Sequence, residues 1–257
     1  MTYEFAMALL SGLLSGAALG LTGGGGSILA VPLLVYLVGE DIHLAIITSL
    51  IAVGATSLIA SIVDMRQSLV KFKIAFLMAS PGIISTYLGS LANKEVKGPV
   101  LLITFAILMI YIGYRMTKPK KKNSDTDEAN GKLDYTKILI LGFITGLASG
   151  FFGVGGGFLL VPALYMGANL KMKEAIATSL FIIFLFGIFG LVSYEIQGRE
   201  VDYTISALFT VGGALGGVIG AYFAKKINQD KLRTTFAVFT IVMGIAIFIE
   251  NAIKLSS

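Results

Sequence analysis

The chain has 257 residues, of which 56% are hydrophobic and only 14% charged, with a formal net charge of +5 and a mean hydropathy of +0.86. Ordinary soluble domains carry about 25% charged residues, so a soluble core is excluded and an all-α polytopic membrane protein is expected. The basic balance then reads as loops facing anionic lipid rather than a nucleic-acid surface, and the absence of cysteine excludes disulfides, thiolate catalysis and cysteine metal sites.

The first apolar stretch runs from Phe5 to Val38 without a charge, and its middle reads GLTGGGGSILAVP over residues 20–32. The preceding MTYEFAM lacks the basic region of a signal peptide, so the stretch is expected to be retained. As one helix it would be about 51 Å long at ~1.5 Å per residue, against a hydrocarbon core of about 30 Å. Glycine costs ~1 kcal/mol in a helix interior, so the break falls at the glycines. Further charge-free segments follow at 44–63, 74–92 and 99–114. KPKKKNSDTDEANGKLDY (118–135) then has the composition of a polar linker. Beyond it lie apolar segments at 138–168, 175–194, 203–224 and 234–249, the first containing GFFGVGGGFLLVP. Roughly 8–10 membrane segments are expected in total.

Residues 12–50 align with 142–180 at an offset of 130 without a gap. Identical pairs include Gly12/Gly142, Gly16/Gly146, Gly20/Gly150, Gly26/Gly156, Pro32/Pro162, Thr48/Thr178 and Ser49/Ser179. The chain therefore divides into a first membrane repeat (1–116), a charged linker (117–136) and a second repeat (137–257). If each glycine break is a turning point, sixteen of the twenty lysines and arginines fall on one side; if each broken segment crosses once, the split is twelve to eight. The positive-inside bias favours turning. Each half then crosses an odd number of times, giving two inverted-topology repeats, each opening with a glycine-broken helix or re-entrant hairpin, as in many transporters. This orientation puts both termini outside the cytoplasm and the linker inside.

A broken helix in a membrane is tolerated where it is buried in protein or lines a cavity. Its new N-terminus offers unpaired N–H groups backed by the helix dipole, which bind anions. The candidate substrate-binding positions are Gly23, Gly24, Gly25, Gly26 and Ser27 in the first break and Gly153, Gly155, Gly156 and Gly157 in the second. Thr48, Ser49, Thr178 and Ser179, placed at the start of the next helices, offer hydroxyls that could meet an oxyanion or bond back to their own helix. The stripes Gly12, Gly16, Gly20 and Gly142, Gly146, Gly150 have the spacing of close helix packing. GGGGS is not a P-loop, because no GK[ST] follows.

No core segment carries an acidic or basic side chain, so coupling through a buried carboxylate is not expected. Asp41, His43, Asp64, Arg66, Glu174 and Glu195 sit at segment edges. Arg66 could meet an anion at a cytoplasmic mouth, and His43 reads as an exposed loop residue. With one histidine and no cysteine, neither a metal nor a cofactor is expected, and the parts for intramembrane hydrolysis are missing.

The breaks followed by L[AL]VPxL, in GGGGSILAVPLL and GVGGGFLLVPAL, and the A-I-[AI]-T-S-L after each, resemble the TauE/SafE sulfite exporter family of membrane permeases over nearly the whole chain. The resemblance implies transport of small sulfur-containing anions such as sulfite, sulfonates or sulfoacetate, across a cell (inner) membrane, with the glycine breaks and TS pairs as substrate-lining positions. The first copy departs from the pattern at Ser27 and Gly24. A passive anion channel, or a membrane assembly partner without transport, is the competing reading. The expected mechanism is alternating access, with one half rocking against the other about a midplane site. The sequence leaves homo-oligomerisation open.

Overall fold

The computed structural model of the chain describes residues 2–22, 26–117, 134–224 and 229–256, and among these every regular element is helical. Helix α1 (Thr2–Thr22) leads into the first break, after which α2 (Ser27–Leu33) continues as a π-helical turn at Leu34–Val38. Pro32 inside α2 has no N–H to give, and the wider π turn follows one residue after α2 ends. Gly39, at φ +86°, stops it by donating its N–H to the Leu34 carbonyl. The Asp41 carboxylate then caps α3 (Ile42–Arg66) by accepting from the His43 N–H at 2.9 Å. After α3 come α4 (Phe72–Glu95) and α5 (Gly98–Thr117). The second half supplies α6 (Tyr135–Phe152), α7 (Gly157–Gly167), α8 (Met172–Ile196), α9 (Tyr203–Ala224) and α10 (Gln229–Ser256). Helices α1, α3, α4, α6, α8 and α9 are long and apolar enough to cross a membrane, as a multi-pass protein requires. The arm 27–38 is a shorter apolar helix, about 18 Å long at ~1.5 Å per residue, too short to span alone.

The repeat seen in the sequence is carried into the helix ends. Helices α3 and α8 have the same length, 25 residues, and start 130 residues apart. Both end at a glutamine followed by a residue in the left-handed region, Ser68 at φ 57° and Gly198 at φ 66°. Helices α4 and α9 start 131 residues apart.

Two compact units form, one of α1–α4 with α6–α9, the other of α5 with α10. In the larger unit α1 packs along α9, α4 along α6, and α3 against α8. Each of the first two pairings joins one helix from each half, and the offset converts one into the other.

The glycine stripes explain how closely these helices approach. A Cβ added at Gly12 would lie 2.1 Å from the Phe209 carbonyl oxygen, and one at Gly16 2.0 Å from that of Gly213. Their counterparts Gly142, Gly146 and Gly150 would meet the carbonyls of Met78, Gly82 and Thr86 at 2.0–2.1 Å. Only glycine lets the backbones touch in this way. At the centre α3 and α8 cross at Gly54 and Gly187, where an added Cβ would sit 2.9–3.0 Å from the opposing Cα. In the smaller unit Gly113 of α5 packs on Ala237 and Ile241 of α10.

Candidate functional site

Of the first break, Gly23, Gly24 and Gly25 lie outside the described residues. Gly26 precedes α2 in right-handed conformation and presses on α1, where an added Cβ would fall 1.9 Å from the Leu19 nitrogen. Ser15 donates its hydroxyl to the Gly26 carbonyl at 3.2 Å, and Ser27 is fully buried. The second break is described throughout. Gly153, Gly155 and Gly156 have φ of +68°, +65° and +69°, a conformation that strongly favours glycine. Gly153 packs on the α3 backbone, where an added Cβ would lie 2.3 Å from the Ile46 carbonyl oxygen, and Gly155 packs between Ile183 and Val53. The Gly156 carbonyl accepts from Leu159 and Leu160, starting α7 at Gly157.

The hydroxyl pairs differ from expectation in place and in partner. Because Asp41 starts α3 at Ile42, Thr48 and Ser49 lie in its second turn rather than at its start, and Thr178 and Ser179 do the same in α8. Thr48 donates to the Glu40 carboxylate at 3.2 Å. Thr178 accepts from the Lys71 N–H at 3.0 Å, capping the start of α4, while Ser179 bonds back to Ile176 of its own helix. Ser49 is fully buried and its hydroxyl has no hydrogen-bond partner among the described residues. The same is true of Ser149, whose Cβ would lie 3.6 Å from a Cβ on Gly156. Ser49 is one helical turn from Ile46, on which Gly153 rests. Ser149 thus brings one unpaired buried hydroxyl against the second break, and Ser49 carries another one turn along α3 from the residue on which that break rests.

Arg66 is exposed at the end of α3. At that end of the bundle Lys71 forms an ion pair with Glu174 at 2.8 Å. Nearby is an apolar cavity of about 270 Å³, bounded by α1, α3, α8 and α9, with Leu19 and Gly20 on one wall, Thr56 and Ala60 on another and Asp64 among its lining.

The opposite end carries a polar network that the sequence reading missed. Asn93 of α4 donates to the Phe151 carbonyl at 2.9 Å, just before the second break. Its side-chain oxygen accepts from Arg199 at 2.9 Å and from the His43 ring at 3.2 Å. His43 is therefore not an exposed loop residue but part of the first turn of α3, half-buried and bonded to α4. Arg199 lies over the Tyr194 ring at 4.7 Å, and burial lowers its pKa. Tyr194 is fully buried and donates to the Gly150 carbonyl at 2.7 Å.

Glu40, in the turn before α3, is half-buried, and its second carboxylate oxygen has no partner among the described residues. Burial pushes its pKa up to about 7; the Thr48 hydrogen bond opposes this, and Asp202 and Asp41 add to it. The signal that could have found it is a break in the repeat, since Leu170 stands at the aligned position. No group of three or more potential metal ligands occurs among the described residues.

A family model described as sulfite exporter TauE/SafE matches residues 8–247. A probable membrane transporter protein of Xylella fastidiosa is 37% identical over 241 residues, covering 93% of this chain and 92% of that protein. The probable membrane transporter protein YunE of Bacillus subtilis is 29% identical over 273 residues, covering 96% and 98%. Sulfite exporter TauE/SafE family protein 6 of Arabidopsis thaliana is 24% identical over 145 residues, covering 55% and 33%. With the duplicated glycine breaks and an all-helical, multi-pass architecture already in view, these matches establish that the chain belongs to the TauE/SafE sulfite exporter family.

Proposed function

We propose that the protein is a secondary transporter of small sulfur-containing anions such as sulfite, sulfonates or sulfoacetate, working by alternating access in a cell (inner) membrane. The two repeats are inverted, the linker lies in the cytoplasm and the termini outside. The anion is held near the midplane by the N–H groups at the starts of the arms after each break, Gly26–Ser27 and Gly156–Gly157, with the hydroxyls of Ser49 and Ser149 completing its shell. The observation that carries this reading is the fully buried, unpartnered hydroxyl of Ser149 beside Gly156, together with that of Ser49 one turn from the α3 residue on which Gly153 rests. A buried hydroxyl left unpaired costs ~1–3 kcal/mol, and an oxyanion would satisfy both without a charged side chain. Family membership supports transport as the activity.

The pairing of α1 with α9 and of α4 with α6 bears on the motion. Helices locked backbone to backbone move together, so the moving bodies are these cross-half pairs sliding on α3 and α8, not one sequence half against the other.

The test is thermal unfolding of the purified protein in sodium sulfite, thiosulfate, sulfoacetate, taurine, sulfate and chloride, with flux of any stabilising anion into proteoliposomes. An anion at a hundred times its Kd stabilises the folded state by about 2.7 kcal/mol. Ser49→Ala removes an unpaired hydroxyl, so it should fold as well as the wild type yet lose most of the anion-specific shift. An anion-specific shift undiminished in Ser49→Ala would remove Ser49 from the site. Flux that only runs down a gradient would favour the channel reading.

A further inference from the structure

The repeat presents the same space twice, and in this structure one copy is open and the other filled. The open copy is the 270 Å³ cavity. Applying the offsets of 130 for α1 and α3 and 131 for α4 and α9, its lining residues Leu19, Gly20, Thr56, Ala60 and Asp64 correspond to Ser149, Gly150, Phe186, Gly190 and Tyr194. The two buried aromatics stand where the first copy has a threonine and an aspartate.

They occupy the volume. Phe186 is fully buried, and its ring tip reaches within 2.4 Å of where a Cβ on Gly82 would be. Tyr194 donates to the carbonyl of Gly150, whose counterpart Gly20 faces the open cavity. Leu50 folds onto Gly190, to within 2.2 Å of an added Cβ, whereas its counterpart Leu180 lines the cavity. Outside this plug Arg199 covers the Tyr194 ring and is tied through Asn93 to the Phe151 carbonyl. The closed copy is therefore packed by two aromatics and latched by hydrogen bonds between α4, α6 and the turn after α8.

We propose that the Asp64 cavity is the open substrate vestibule on the Lys71 side of the bundle, and that Phe186 and Tyr194 form the closed gate on the Glu40 side, with Arg199 and Asn93 as its latch. This rests on the transporter reading above. Opening would draw the α4 and α6 pair away from α8, freeing the Tyr194 hydroxyl from Gly150, while the α1 and α9 pair closes over the cavity.

The chain has no native cysteine, so single-cysteine reporters need no background substitution. Ala60→Cys reports on the vestibule and Ser149→Cys, isosteric and behind the plug, on the closed copy. Each is reacted with a membrane-impermeant thiol reagent and, separately, with a lipid-soluble maleimide, in oriented vesicles. Ala60→Cys should react with the impermeant reagent from the Lys71 side, and Ser149→Cys should react far more slowly. Adding Tyr194→Phe, which keeps the ring and removes only its hydrogen bond, should speed Ser149→Cys labelling about tenfold, as expected when one buried hydrogen bond leaves a two-state equilibrium. The stronger Tyr194→Ala should do more, read only in samples that remain monodisperse.

Equal reactivity of the two reporters, or no acceleration by either Tyr194 variant, would overturn the gate. Ala60→Cys reacting only with the lipid-soluble maleimide would overturn the vestibule by showing that the cavity faces lipid. None of these readouts needs a substrate. Failure of the anion assays with success here would mean a gated pathway for a different solute, and the reverse would mean transport with the gate elsewhere.

Discussion

Replacing Glu40 by glutamine should make the protein more stable at pH 8 and leave it nearly unchanged at pH 5. The carboxyl titrates at about 7 in the folded protein against its ordinary 4.5. Between those values the folded state binds more protons than the unfolded chain, so stability falls as pH rises from 4.5 towards 7 and stays lowered above it. At ~1.4 kcal/mol per pH unit the gap amounts to about 3 kcal/mol, and the partial exposure of Glu40 lowers this to roughly 2 kcal/mol. Glutamine keeps an oxygen for the Thr48 hydroxyl and removes the charge. For a chain of this size the gain corresponds to a rise of about 4–8 °C in Tm at pH 8, measured by tryptophan-independent dye unfolding in detergent at several pH values. A variant whose Tm runs parallel to the wild type from pH 5 to 8 would refute the reasoning. Asp202→Asn, which removes a neighbour that raises the Glu40 pKa, should give a smaller effect of the same sign.

Gly146→Val should push α4 and α6 apart, because its Cβ would sit 2.1 Å from the Gly82 carbonyl oxygen; overpacking typically costs ~1–3 kcal/mol. Gly39→Ala meets nothing within 4 Å and carries only the strain of φ +86°, about 1–2 kcal/mol. Equal losses of Tm in a Gly39→Ala and a Gly153→Ala protein would contradict the contact between Gly153 and Ile46. Thr178→Val should loosen the first turn of α4 by about 1 kcal/mol, visible as faster amide exchange at Lys71–Ala75, while Thr178→Ser restores protection. Glu174→Gln breaks an ion pair whose side chains are 40% and 21% exposed and should change stability by less than ~1 kcal/mol.

Much of this architecture could be read from residue spacing. The offset of 130 located both breaks and matched α3 to α8, because apolar length and glycine placement are constrained wherever backbones meet. The pairing across halves was not legible: Gly12 and Gly16 announce a close contact but do not name Phe209 and Gly213 as its partners. The site was legible in outline only. Glycines mark a break, yet whether the adjacent hydroxyls are free depends on geometry. Ser179 bonds back to the Ile176 carbonyl and Ser49 has no partner among the described residues, although the two stand at the same place in the repeat. Glu40, Asn93 and Arg199 escaped notice because each is an ordinary polar residue at a segment edge until folding brings Glu40 to the Thr48 hydroxyl, Arg199 to Asn93, and Asn93 to the Phe151 carbonyl just before the break.

The exchange of helices between the two halves also sets an order of synthesis. Helix α1 is complete about 180 residues before α9, a delay of roughly ten seconds or more at ~5–20 residues per second. Throughout that interval its glycine face must wait in the bilayer without its mate, and α4 likewise waits for α6. Neither half can therefore reach its final packing alone, and two fragments separated between α5 and α6, made together in one cell, should find each other and rebuild the bundle.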